Sequence, residues 1–423
     1  MSNLESNYMY GFIDKIIKEC GPRMPCSPQE AKAASLIEDE LAKYCDETNI
    51  EEFYCSPRAF LGWIRIVVIL ITGSMINFVL VTLVQSQIFK VLFMGFSIII
   101  NLIAFLIMWK EFFNYEEFID TFFKKKASQN VVGKINSKGE KQTIIIFSGH
   151  HDSALQFNLL YYLKIGYIII LFTGLLIMLF WLIFSFVIFL LEMINLIVPI
   201  MSISIISFWI TLIVLIIGFI PLLALFNFTS FGDKSNKVPG AVDNLSAVGV
   251  VVGIAKYLHQ NKAVIPENVE IKCVSFGCEE AGLRGAYRYV ERHLDELKEH
   301  NAININMDAL QDPNKIHIID NEPTTRTMHS VEVVNRLLKA DKSIDLNIQK
   351  FGKGKKEKFI GQFSGGTDAT AFSKANLKAA TITSMNYKGY LDFYHQPNDT
   401  LDKIKEGTLE NVLKLCISFL KNI

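Results

Sequence analysis

The sequence predicts an α/β fold: a mainly parallel mixed sheet flanked by helices, with about four transmembrane helices inserted into it as two hairpins. Three observations lead there. Strand-like runs alternate with helix-periodic runs through the polar part of the chain, the pattern of a sheet covered on both faces. Two long apolar blocks, 58–112 and 155–230, interrupt that pattern. Hydrophobic residues reach 51% with a mean hydropathy of +0.30, an apolar excess beyond that of an ordinary soluble domain. The 42 basic residues balance 42 acidic ones, so no basic domain exists to neutralise the phosphates of a nucleic-acid partner.

The first apolar block breaks at Gln85-Ser86-Gln87 and Lys90. That leaves two stretches of roughly 20 residues, each long enough to cross about 30 Å of hydrocarbon as a helix. The second block has Glu192 as its main charge, with Asn195 and Pro199 near its middle, and reads as a second, longer hairpin. Three helices there would separate the polar segments on either side of it across the membrane, so an even count is expected. Arg58, Arg65, Lys110, Lys124, Lys125, Lys126, Lys164, Lys234 and Lys237 flank the blocks on the side of the polar segments, against Lys90 and Glu192 in the far turns. Positive charge favours the cytoplasmic face, which places the polar domain there. Seven cysteines, an odd number without a CxxC pattern, suit reduced thiols. The first 57 residues are polar and show no cleavable leader. A transporter needs ionisable groups within its spans. Only Arg65, Lys90 and Glu192 are candidates, and they lie near predicted helix ends or turns.

The polar pieces are 1–57, 113–154 and 231–423. Ser27-Pro28-Gln29-Glu30 has the form of a capping box and opens a helix running to about Tyr44, followed by a strand over 50–55. Strands over 131–135 and 143–147 are joined by a turn at 137–140. Beyond the second block come a helix from Ser246, a strand over 269–276, a helix from Gly282, a strand over 303–307, a helix over 329–340, a strand over 379–385 and a last helix from Leu409. Ligands of such sheets bind at the carboxyl ends of the strands. His150, Glu279, Glu280 and Asp308 all fall just after predicted strands.

Five short segments carry the chemistry: Gly149-His150-His151-Asp152-Ser153, Gly240-Ala241-Val242-Asp243-Asn244, Cys278-Glu279-Glu280 with Gly285 beyond, Asn306-Met307-Asp308-Ala309, and Tyr394-His395-Gln396-Pro397-Asn398-Asp399-Thr400. Each supplies imidazole or carboxylate, the ligand types of a hydrolytic zinc pair, which needs one carboxylate reaching both ions and a few terminal ligands. In order, content and spacing they resemble the zinc aminopeptidases of peptidase family M28, over the whole chain outside the two apolar blocks.

That resemblance implies two Zn2+ ions per chain. It makes Asp243 the bridging carboxylate, His150 and Asp308 ligands of one ion, and Glu280 and His395 ligands of the other. Asp152 stands where the family places an acid that orients an active-site group, and Glu279 matches its general base. Adjacent glutamates cannot serve one centre from a regular helix, so an irregular backbone is expected at 279–280. Mn or Co would also suit this donor set.

Each assignment competes with an ordinary structural one. Single histidines are mostly structural, glutamate pairs near a helix start are usually surface charges, and Asp243 or Asn244 could simply cap a helix. Gly365-Gly366-Thr367-Asp368 resembles a family segment near the substrate pocket, or caps the helix starting near Ala369. Asp399-Thr400 is expected to brace the turn bearing His395. Residues 352–358, rich in Gly and Lys, read as a solvated loop. Val242, Ala247 and Gln396 depart from the family pattern without removing a ligand. The resemblance thus implies an aminopeptidase acting on peptides. The apolar blocks place it in the membrane, and the departure of the second block shortly after Ser153 suggests membrane-associated or apolar peptides, with simple tethering as the competing reading. A glutaminyl-cyclase-like acyltransferase or a non-catalytic scaffold of the same fold are the alternatives.

Overall fold

The computed structural model describes residues 3–198, 203–231, 236–352, 365–385 and 387–423. Pro199, Lys234 and residues 353–358 of the Gly/Lys-rich loop lie outside them. Along the chain the first elements are α1 (Asn3–Cys20), α2 (Pro28–Leu41), β1 (Glu47–Cys55), α3 (Ala59–Val81), α4 (Gln87–Met108), β2 (Lys126–Ile135), β3 (Thr143–His150), α5 (Asn158–Leu163), α6 (Gly166–Asn195) and α7 (Ile203–Phe226). There follow α8 (Ser246–Gln260), β4 (Val269–Phe276), α9 (Arg284–Glu299), β5 (Ile303–Asp308), β6 (His317–Ile319), β7 (Asn321–Glu322), β8 (Thr327–Met328), α10 (Val331–Asp341), β9 (Gln349–Lys350), α11 (Ala369–Lys374), β10 (Lys378–Thr383), α12 (Tyr387–Asp392) and α13 (Thr408–Lys421). Two compact units result: Met1–Arg58, Phe123–Gln156 and Gly232–Ile423 form one, Ala59–Phe122 and Phe157–Phe231 the other.

The first unit is built on a sheet of order β1-β2-β4-β3-β5-β10-β6-β9. Its four middle strands, β4, β3, β5 and β10, are parallel, while β2 and β6 join them antiparallel. Burial on both faces explains the near-continuous apolar runs of the middle strands. Ile145 and Phe147 of β3 face a core shared with α1, α2, α8, α10 and α13, and Ile144 and Ile146 face a smaller core formed with α9 and α11. This period-2 alternation puts helices on both sides and leaves the carboxyl ends of the parallel strands for a site.

Several boundaries depart from the sequence reading for local reasons. Ser27 caps α2 by accepting a bond from the Glu30 amide at 3.1 Å, but the Glu30 carboxylate leaves the capping box for the amides of Cys26 and Cys278 and the Ser128 hydroxyl. Helix α9 starts at Arg284 rather than Gly282, because Gly282 and Leu283 take φ of 96° and 62°. Helix α1 and the short strands β6 to β9 had no counterpart in the sequence reading.

The second unit is a bundle in which α3 packs on α4 and α7, and α6 packs on α4 and α7. Each apolar block therefore holds two helices. All four helices are long and apolar enough to cross a membrane. Their outer faces are apolar, with Ile69, Leu80, Leu92, Phe96, Leu176, Ile183, Ile216 and Phe219 all exposed. Polar groups turn inward: Trp181 Nε1 donates to Ser74 at 3.1 Å, Asn101 to Ser185 at 3.0 Å and Asn77 to Ser97 at 2.7 Å. Glu192 accepts bonds from Asn195 and Gln87. Apolar outside and polar inside is the arrangement of helices packed in lipid.

A fifth helix, Ala241–Gln260, also meets the length and apolarity of a span. It lies in the first unit, where Val248, Val250, Val251, Val252, Ile254 and Ala255 are fully buried against α1, α13, β3 and β4. Helices apolar all round belong to a core or to a membrane, and this one forms the core of the α/β unit.

Candidate metal centre

The carboxyl ends of β3, β4 and β5 deliver four of the expected residues to one place. His150 ends β3 and Asp308 ends β5, while Glu279 and Glu280 follow β4. Asp243 arrives from the loop before α8 and His395 from the turn after α12. His150 Nε2 lies 3.2 Å from one oxygen of Asp243, and His395 Nε2 lies 3.3 Å from the other. His395 Nε2 is also 3.2 Å from Glu280 Oε1. Two overlapping groups, His150 with Asp243 and Glu280, and His150 with Glu279 and Asp308, each place one donor atom per residue within 4.8 Å of the others. All seven residues expected at the site are thus gathered around it, and Glu279 stands 3.7 Å from the ring of His150.

The adjacent glutamates are placed by an irregular turn. Cys278 has φ 54°, and the amides of Glu279 and Glu280 both donate to Asp152, at 3.1 Å and 3.0 Å. Asp152 Oδ1 also lies 3.4 Å from His150 Nδ1. One carboxylate therefore sets the ring of His150 and the backbone of both glutamates. The turn tightens as Gly282 and Leu283 donate to the Glu279 carbonyl before α9 begins.

The Asp243 loop is held from several sides. The Asp399 carboxylate accepts from the amides of Val242 and Asp243, at 2.7 Å and 3.1 Å, so it braces this loop as well, while its own amide donates to the Gln396 carbonyl within the turn bearing His395. Asn244 binds the Met307 carbonyl and the Ala309 amide, locking the loop to the end of β5. Neither Asp243 nor Asn244 caps α8, whose first turn starts at Leu245 without a side-chain cap. Gly240 takes φ 62°, a left-handed conformation that glycine adopts without steric cost. Gly149 is required for a different reason: a Cβ there would lie 2.4 Å from the Cβ of Ala247.

Two contributors went unrecognised in the sequence. The guanidinium of Arg23, fully buried, donates to the carbonyls of Gly21, His151 and Pro239 at 2.8 Å and of Gly240 at 3.1 Å. It staples the first polar piece to the segments bearing His150 and Asp243. Glu322 of β7 accepts from the Thr367 amide, the Thr367 and Thr370 hydroxyls and His329. This fixes the Gly365–Asp368 segment, in which Asp368 makes no cap bond to α11 and keeps both buried oxygens without a hydrogen-bond partner among the described residues. Burial, opposed by the charge of His150, pushes the Asp368 carboxyl up to about 7.

The electrostatics fit cations. Burial pushes the Asp308 and Glu279 carboxyls well up, with neighbouring carboxylates adding to it and His150 opposing. Burial would lower His395, yet Glu280 and Asp243 hold it up, to about 10. So many acids cannot all ionise in one buried space unless positive charge is supplied. Glu280 Oε1 is buried and faces the ring of His395 at 3.2 Å. Two imidazoles and several buried carboxylates form a donor set suited to zinc.

An α/β unit with acids and imidazoles collected at its strand ends defines the class of zinc-aminopeptidase-like proteins. The model for Peptidase family M28 matches residues 228–420. Among characterised proteins it is 33% identical to Aminopeptidase YwaD of Bacillus subtilis over 72 residues, which are 17% of this chain and 15% of that protein's length. The fold superimposes on a zinc aminopeptidase from Bacillus subtilis with a TM-score of 0.52 at 13% identity, covering 98% of this chain and 94% of the other. It superimposes equally on an Acidobacteriales glutaminyl cyclase, with a TM-score of 0.52 at 12% identity over 99% and 94% of the two chains.

Proposed function

We propose that this protein is a membrane-embedded metallopeptidase that releases N-terminal residues from peptides, with its peptidase unit on the cytoplasmic side. One observation carries the reading: the two oxygens of Asp243 face the Nε2 atoms of His150 and His395 at 3.2 Å and 3.3 Å, as a carboxylate shared by two cation positions must. His150 and Asp308 would complete one position, Glu280 and His395 the other. When bound, a zinc pair supplies Lewis-acid polarisation of the scissile carbonyl and makes water more acidic. Asp152 keeps His150 and the Glu279–Glu280 turn in register. Glu279, 11% exposed at the side chain and aimed at the same space, takes a proton from the attacking water and passes it to the leaving amine.

The four apolar helices anchor the chain in the bilayer. Only residues 151–156 lie in the chain between His150 and the second inserted segment, and this short connection supports membrane-associated or apolar peptides as substrates. Purified protein offered a panel of fluorogenic aminoacyl amides should hydrolyse a subset, lose activity with chelator and regain it with zinc. A Gln-initiated peptide followed by mass spectrometry separates hydrolysis from the cyclisation that the second fold relative performs. Loss of ammonia without peptide cleavage would replace the peptidase by the acyltransferase. Equal cleavage of one peptide with and without a lipid tail, in detergent and in liposomes, would remove the membrane-substrate preference.

A further inference from the structure

Outside the centre just described, one other group of three ligand-type side chains converges among the described residues. Cys26, from the turn before α2, Cys55, the last residue of β1, and Cys278, in the turn after β4, bring their sulfurs together pairwise: 3.3 Å between Cys26 and Cys278, 3.4 Å between Cys55 and Cys278, and 3.5 Å between Cys26 and Cys55. All three are buried, packed with Phe53 and Ala281. They form a mutual ligand cluster.

The surroundings hold this cluster in place. The buried Glu30 carboxylate accepts the amides of both Cys26 and Cys278, at 2.7 Å and 2.9 Å. Cys26 and Cys278 take φ of 58° and 54°, left-handed conformations that cost a side chain about 1 kcal/mol or more. Such strain persists where the surrounding structure imposes it, and it collects at functional positions. A further donor is close by: the Lys126 carbonyl lies 3.7 Å from Cys26 Sγ. None of the seven cysteines forms a disulfide.

We propose that Cys26, Cys55 and Cys278 form a second, separate metal site, a three-thiolate site for a thiophilic divalent cation, zinc foremost. Zinc binds thiolate at about 2.3 Å, which sets tetrahedral sulfurs about 3.8 Å apart, so each sulfur needs to withdraw by only a few tenths of an ångström. On binding, three metal–sulfur bonds form, three thiol protons leave to water and no electron moves. The Lys126 carbonyl or a water takes the fourth position. Soft sulfur donors select such a cation over magnesium or calcium. A disulfide would use two of the sulfurs and strand the third, whereas a cation uses all three. Its task is structural: it pins the end of β1 and the turn before α2 to the segment that carries Glu279 and Glu280.

The test uses the full-length protein in detergent, stripped with chelator and reloaded with cobalt(II). A thiolate-to-cobalt charge-transfer band in the near ultraviolet is expected, since the His and carboxylate centre contains no sulfur and cannot produce one. The band should vanish in Cys26→Ser and Cys55→Ser and survive in Cys20→Ser. Absence of the band in the wild-type protein with its thiols reduced overturns the proposal, and so does an intact mass two hydrogens short, which would reveal a disulfide. The wild-type spectrum decides even where a variant fails to fold. The outcome is independent of peptide hydrolysis, so failure of the peptidase reading would be seen separately.

Discussion

At the scale of single residues, the site is a set of side chains held by other side chains far away in sequence. The seven residues gathered at the site were legible because they fall in five short segments rich in His, Asp and Glu, three of them at strand ends. Their supports were not. Arg23 meets carbonyls more than a hundred positions away, and nothing in its local sequence distinguishes it from a surface arginine. Asp399 was legible as a brace of the His395 turn, but the hold of its carboxylate on the Asp243 loop was not. The three clustered cysteines come from separate segments, so spacing could not reveal them. Replacing Arg23 with Met should destabilise the protein by about 3 kcal/mol or more, because buried carbonyls lose their donors. Urea unfolding measures this, and a wild-type midpoint would contradict the staple. Glu279→Gln should lower turnover by about 10²- to 10⁴-fold, the usual worth of a general base, with metal content unchanged. Loss of metal together with activity would make Glu279 a ligand instead.

At the scale of elements, strands with two buried faces announced themselves, and β4 spans the residues expected of it. Boundaries failed where left-handed residues or a distant partner decide them, as at Leu283 and Glu30. Helix α1 was missed although Met9, Phe12, Ile13 and Ile16 lie at helical spacing and are buried. Helix α9 also carries a testable electrostatic tie. Glu296 is 2.8 Å from both Lys141 and Lys272. Burial opposes ionisation, but the two lysines hold its carboxyl down, to about 2. A carboxyl whose folded value lies below the ordinary value of about 4.3 stabilises the fold above that pH and loses the contribution as pH falls toward 2. Glu296→Gln should therefore be less stable than wild type at neutral pH, with the gap closing in acid. A gap independent of pH across this window would contradict the tie.

At the scale of the whole molecule, two apolar hairpins interrupt a peptidase fold without preventing its sheet from forming. The four long helices were readable because a helix able to cross a membrane must be long and apolar. The polar pairs inside them, such as Trp181 with Ser74, were not, since a lone serine in an apolar run carries no signal of its partner. The proposed cytoplasmic placement of the α/β unit makes a prediction of its own. On intact cells, a membrane-impermeant maleimide should label Lys90→Cys and leave Lys125→Cys untouched until the membrane is opened. The reverse pattern would place the peptidase unit outside.

The central claim is that His150, Asp243, Glu280, Asp308 and His395 surround two cations that share the Asp243 carboxylate. Anomalous diffraction at the zinc edge from zinc-loaded crystals tests it directly. Two peaks about 3.5 to 4 Å apart, one on each side of Asp243, are expected. A single peak, or none within bonding distance of Asp243, would contradict the account.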